Sequence, residues 1–405
     1  MVQCRICGGP VEEFFDFGRQ PVSDSFVTPQ TAGSEFYFRL AAGVCAECTM
    51  VQLVEEVPRE QMFHEDYPYR SAGSVVMREH FEKYAHQLLG TELAGEDPFV
   101  VEIGSNDGTM LKTIGRAGVR HLGVDPSAQV AGFARAEGVR VRTDFFQDGS
   151  AREIAAADGP ANVIFSANTV SHIAYIDSVF RGVDALLAPD GIFVIEDRYL
   201  GAIIAQNAFD QIYDEHFYLF SVTSVRAMAE RFGFELADVE PLAVHGGSMR
   251  YTIARPGQRA VSAAVTEHVE RERETGLTRP ETYHRFAQHV RESCRELVRL
   301  LTELREEGRS VVAYGATAKS ATVINYCGIG PDLVPFICDN TPAKQGRLAP
   351  GTHIPVRPSE DFAKPYPDYA LLFAWNHAEE IMAKEREFRA AGGKWILYVP
   401  EVHIV

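Results

Sequence analysis

Two C-x-x-C pairs, Cys4-Arg-Ile-Cys7 and Cys45-Ala-Glu-Cys48, constrain the start of the chain more tightly than any other feature. Each pair sets two thiolates on one tight turn, and four thiolates complete a tetrahedral zinc shell. Residues 4 and 48 must therefore meet. Gly8 and Gly9 let amides turn toward the sulfurs. Four cysteine ligands leave no open position for water or substrate, so the expected zinc is structural rather than catalytic. A region this small cannot easily build its own core, and zinc binding contributes on the order of 10 kcal/mol or more to folding. The metal is expected to replace that core. Cys294, Cys327 and Cys338 read as plain core thiols.

At 405 residues the chain exceeds what one core usually serves. Three domains are expected, at 1–70, 71–258 and 259–405. The net charge of -17 argues against a general nucleic-acid or anionic-membrane surface, which would need clustered Lys and Arg. No basic-then-apolar leader opens the sequence and no apolar run reaches the 18 or so residues of a membrane span. A cytoplasmic monomer is the expectation.

From about 75 to 255, helix-like segments alternate with apolar runs at Phe99 to Ile103, His121 to Val124, Val163 to Ser166 and Gly191 to Glu196. This is α/β order, with a mostly parallel sheet covered by helices on both faces. The first run leads into Glu102-Ile-Gly104-Ser-Asn106-Asp-Gly108, where glycines let the backbone turn sharply beneath a ligand and the next helix offers its amides. The loop lacks the G-x-G-x-x-G of a dinucleotide site. Its acid and spaced glycines are similar to the first motif of S-adenosylmethionine-dependent methyltransferases. Asp125, ending the second run, sits where a carboxylate accepts ribose hydroxyls, and Phe145 sits beside the expected adenine.

Ser166-Ala-Asn168-Thr-Val-Ser-His172 follows the next run, which places Asn168 and His172 at the sheet's carboxyl edge. Some forty residues on comes Tyr213-Asp-Glu215-His216, a phenol, two carboxylates and an imidazole that are costly to bury unless they pair or do chemistry. The order permits His216, tuned by Glu215, to take a proton from carbon beside a ketone. Tyr213 and His172 would donate hydrogen bonds to the enolate oxygen. The bland alternative is a buried polar network. His245-Gly-Gly-Ser reads either as a close backbone approach to substrate or as an ordinary hairpin or bulge.

After residue 260, Phe286, Val290, Cys294, Val298, Leu301 and Leu304 mark one apolar stripe on a long helix. Arg309-Ser-Val-Val-Ala-Tyr-Gly315-Ala-Thr-Ala-Lys319 then begins a second strand, glycine turn and helix, with Asp339 ending the next strand. One glycine is too few for a dinucleotide loop, so no redox cofactor is expected there. Lys319 and Asn340 face a diphosphate or base, or the domain serves packing alone.

With its cysteine module, its Tyr-Asp-Glu-His and His-Gly-Gly-Ser segments and its Tyr-Gly-Ala-Thr-Ala-Lys turn, the chain resembles the sugar C-methyltransferases of deoxysugar and antibiotic biosynthesis. The resemblance implies a Rossmann-like methyltransferase core between a small zinc module and a second Rossmann-like α/β domain. It implies S-adenosylmethionine as cofactor and a dTDP-linked 4-keto-deoxysugar as substrate. It sets Tyr67, His172, Tyr213, Glu215 and His216 around the sugar, with His216 as leading base and Glu215 assisting. Methylation at C-3 is the first expectation. Methylation at C-5, a keto-sugar epimerase or isomerase, and a non-enzymatic zinc-knuckle adaptor are the alternatives.

Overall fold

Phe99–Ile103 is buried at every position, as a strand covered on both faces must be. It is the middle of five parallel strands within a seven-stranded sheet, in a computed structural model that describes residues 2–62, 71–363 and 365–405. The strand order is Glu235–Leu242, Ser248–Ala254, Leu187–Arg198, Ala161–Ala167, Phe99–Ile103, Arg120–Val124, Val141–Arg142. The last five are mutually parallel, whereas Ser248–Ala254 runs antiparallel to both its neighbours. The chain leaves Phe99–Ile103 toward one edge and returns on its other side at Ala161–Ala167. That reversal opens a crevice above the carboxyl ends of the two strands. The loops entering it are 104–108 and 168–172, as the sequence predicts.

Among the described residues two further sheets flank this one. Val311–Tyr314 and Tyr369–Leu372 are the middle of a six-stranded, mostly parallel sheet. Pro280–Glu306 packs against it; Phe286, Val290, Cys294, Leu301 and Leu304 are buried along the expected stripe. No described helix is long and apolar enough to cross a membrane.

The N-terminal sheet corrects one expectation. Val11–Pro21, Tyr37–Cys45 and Val51–Leu53 are joined by Tyr218–Leu219 from far along the chain, so the module is completed by the central domain. Its apolar residues are not missing a core. Phe14, Phe15, Phe17 and Phe38 belong to a buried cluster continuous with the other two sheets. The Phe14 ring lies 5.0 Å from Tyr283, and Phe15 lies 5.4 Å from Tyr326. Four-cysteine ligation thus shapes one end of a module whose other face is seated on the C-terminal domain.

Candidate active site

The loop after Phe99–Ile103 is shaped by packing first. Gly104 has φ +70°, and a Cβ there would sit 2.1 Å from Thr169 Oγ1, so only glycine lets the two crevice loops approach. Gly108, at φ +74°, starts the helix Thr109–Arg116. Asn106 and Asn168 both take positive φ, a conformation stored where the fold overdetermines it. Asn106 donates its N–H to Asp125 Oδ2 at 2.9 Å, and Ser127 N–H donates to Oδ1 at 2.9 Å, which fixes the carboxylate plane. Each oxygen keeps a lone pair for a ligand hydroxyl.

Gly104, Asn106, Asp125, Phe145, Asn168 and His172 all line one cleft. Of the seven residues expected to hold the cofactor, Glu102 and Gly108 lie outside that lining. Glu102 is buried beneath the loop, where burial and then Asp107 and Asp125 push its carboxyl well above the usual range. Sequence reasoning missed Arg59, whose guanidinium stacks 4.2 Å from the Phe145 ring centroid and 5.0 Å from that of Tyr175, closing one wall.

The acid–base cluster abuts this cleft through His172. Its ring centroid lies 5.3 Å from that of His216, which is 4.0 Å from Tyr213. His216 is 1% exposed. Its Nδ1 sits 2.6 Å from the carbonyl of Gln211, an acceptor only, so Nδ1 carries the hydrogen and Nε2 the lone pair. Nε2 is buried with no hydrogen-bond partner among the described residues. Burial, then Arg198, depress the imidazole well below its ordinary pKa, and the same two causes lower His172 to about 3. Both rings are neutral at pH 7. The Glu215 carboxylate lies 4.0 Å from His172 Nδ1. At that distance Glu215 pairs with His172, while the Gln211 carbonyl holds Nδ1 of His216. Tyr67 lies outside the described residues.

The C-terminal domain closes the far side. Trp375 Nε1 donates to Asp210 Oδ2 at 2.7 Å and Tyr398 OH donates to the same oxygen at 2.6 Å, holding the turn that carries Gln211. Gly246, at φ +84°, brings its backbone under the Trp375 ring; a Cβ would lie 2.6 Å from it. His245-Gly-Gly-Ser is the connection of a hairpin, between the antiparallel strands Glu235–Leu242 and Ser248–Ala254, and the group its backbone approaches is Trp375 of the C-terminal domain. Lys319 is 9% exposed, lies 4.8 Å from the Trp375 ring centroid and bonds Asn376 at 2.5 Å. Burial lowers it to about 8 against the opposing pull of Asp210. Arg198 and His377 join Lys319 in depressing His245, after burial. Asn340 is not brought here; it is exposed at the end of Ile337–Asp339.

Cys4 and Cys48 sulfurs lie 3.5 Å apart, Cys7 and Cys45 3.4 Å, and all four within 4.8 Å of one another. A tetrahedral Zn–S shell of about 2.3 Å requires sulfurs about 3.8 Å apart. N–H groups of Ile6, Gly9 and Glu47 point at Cys4, Cys7 and Cys45 at 3.4 Å, as they do toward thiolates. The residues fit zinc, and no open position remains for substrate.

Comparison with known families matches residues 4–63 to a domain proposed to bind zinc, 77–239 to a methyltransferase domain, and 243–400 to a C-methyltransferase C-terminal domain. The C-methyltransferase NovU of Streptomyces niveus is 36% identical over 413 aligned residues, covering 100% of this chain and 96% of that protein. A ubiquinone biosynthesis O-methyltransferase of Azorhizobium caulinodans is 29% identical over 24% of this chain and 38% of its own. The solved magnesium protoporphyrin IX methyltransferase of Synechocystis is 14% identical, with a TM-score of 0.34 over 45% of this chain and 87% of its own.

Proposed function

The chain belongs to the C-methyltransferases, enzymes dependent on S-adenosylmethionine, and on that premise we propose that it methylates C-3, the carbon beside the ketone, of a dTDP-linked 4-keto-deoxysugar. One observation carries this reading: His216 Nε2 is an unpartnered lone pair, one imidazole away from the donor cleft. Bound S-adenosylmethionine supplies an electrophilic methyl group. Asp125, Asn106 and Phe145 would hold the donor, with Asn168 and His172 at the inner end of the cleft.

His216 takes the proton from the carbon next to the ketone. The C–H electron pair becomes the enolate double bond, and the carbonyl π pair moves onto oxygen. Tyr213 and His172 donate hydrogen bonds to that oxygen, which leaves the enolate carbon as the nucleophile for the methyl group; the S–CH3 bond of the bound donor would break with its electron pair remaining on sulfur. Neutrality of His216 supports its role, since a protonated imidazole has no lone pair to offer. Lys319, buried in the C-terminal domain, suits a diphosphate, and the charge on Lys319 is felt at His245 and at His216, which fits a substrate held among the three.

Mass spectrometry of products from a panel of dTDP-4-keto sugars tests the substrate, with deuterium marking the carbon attacked. His216→Ala is expected to lose methylation by a hundredfold or more while substrate affinity is mostly kept, in line with the usual contribution of a general base. Equal turnover of the two proteins would sink the assignment. Deuterium wash-in without any binding of S-adenosylmethionine by calorimetry would indicate an isomerase instead.

A further inference from the structure

We infer that Arg198 is a further catalytic residue: its guanidinium faces the substrate's ketone oxygen and supplies the positive charge opposite the enolate. The inference rests on the reading of His216 as the base. Arg198 ends the strand Leu187–Arg198 at the carboxyl edge of the sheet, and its side chain is 13% exposed. Nη1 donates to Asn168 Oδ1 at 3.2 Å, which ties it to the cleft loop. Nε is buried and has no hydrogen-bond partner among the described residues. The neighbouring Asp197 carboxylate stays 3.9 Å from Nη1, and that same oxygen already accepts the Arg198 backbone N–H at 2.9 Å.

Arg250, in the adjacent strand, shows what a structural arginine looks like in this protein. It contacts Glu196 at 2.6 Å, pairs with Glu240, and lies over the Tyr84 ring. Its charge is answered by carboxylates at contact. A sheltered guanidinium with an open donor, whose one carboxylate neighbour among the described residues stands off at 3.9 Å, is costly unless a ligand completes it.

The reaction requires such a group. Tyr213 and the neutral His172 can donate hydrogen bonds to the developing oxygen, but they bring no positive charge. When His216 accepts the proton it becomes an imidazolium, and Arg198 already opposes that charge: after burial, it is the strongest influence lowering His216. Two cations that repel one another are jointly stabilised by an anion between them. The enolate oxygen, formed as the proton moves to Nε2, is that anion, and the charge pair appears only in the transition state.

The test compares wild type, His216→Ala, Arg198→Met and Arg198→Lys, with a dTDP-4-keto-6-deoxyhexose in D2O. The readouts are deuterium wash-in beside the ketone and methylation. Arg198→Met is expected to lose both by about a hundredfold, the usual effect of removing one preorganised donor. Affinities for S-adenosylmethionine and for dTDP alone should hold, Arg198→Lys should recover part of the rate, and free guanidinium should restore part of it to Arg198→Met. The acid limb of its pH profile should rise, because a depressing charge has gone. Wild-type wash-in in Arg198→Met, with His216→Ala inactive, would overturn the inference and leave the base assignment standing. Loss of dTDP affinity matching the loss of rate would make Arg198 a diphosphate ligand and overturn it as well. Wild-type wash-in in His216→Ala would instead remove the premise.

Discussion

A single backbone carbonyl decides what His216 is able to do. Gln211 holds Nδ1–H, so the lone pair is presented at Nε2 in a pocket where burial and Arg198 keep the ring neutral. The acid limb of kcat/KM should therefore lie below pH 6.5, the ordinary histidine value, and a pH–rate profile checks it. Stability follows the same sign. A histidine whose folded pKa is depressed binds its proton more readily when unfolded, so its contribution is complete above pH 6.5 and erodes as pH falls. For His172 the loss runs from 6.5 down to about 3. Each such histidine costs up to about 1.4 kcal/mol per pH unit across its window. Denaturant titrations from neutral to mildly acid pH should show His216→Gln less acid-sensitive than wild type by about that slope. The cluster Tyr213, Glu215, His216 and His172 was legible because its residue types are costly to bury without purpose. The Gln211 contact was not, since a carbonyl leaves no mark in the side-chain sequence.

At the scale of elements, the turn Phe209–Gln211 is held from another domain. Asp210 accepts from Trp375, 165 positions away, and from Tyr398, 188 positions away. Thr322 adds a bond to the Ile212 carbonyl at 3.0 Å. Trp375→Phe or Tyr398→Phe removes one donor from a buried carboxyl and should cost about 1–3 kcal/mol in chemical denaturation. Because Gln211 follows Asp210 directly, the rate of α-proton exchange should fall in these variants while affinity for S-adenosylmethionine stays. Gly246→Ala carries a left-handed φ into contact with the Trp375 ring. It should lower substrate affinity and shed about 1–2 kcal/mol of stability, readable by calorimetry and thermal melting.

Over the whole molecule, zinc module, central sheet and C-terminal sheet share one apolar cluster, and the module's own sheet ends in Tyr218–Leu219, two residues after His216. Loss of the metal should therefore reach the active site. Cys4→Ser is expected to lose a bound zinc equivalent, measured by metal analysis, and to melt at lower temperature with reduced activity. Local pattern alone carried the cysteine shell, the parallel order around Phe99–Ile103, Asp125 at its strand end and the long amphipathic helix, because these depend on spacing, periodicity and turn chemistry between near neighbours. Only the tertiary structure decided that Arg198 stands open beside Asn168, that Trp375 and Tyr398 grip Asp210, and that Asn340 faces solvent while Lys319 is buried. Those facts depend on distances between segments remote in the chain, fixed by how three sheets bury their apolar faces together, and burial then sets which charges stay paired and which await a ligand.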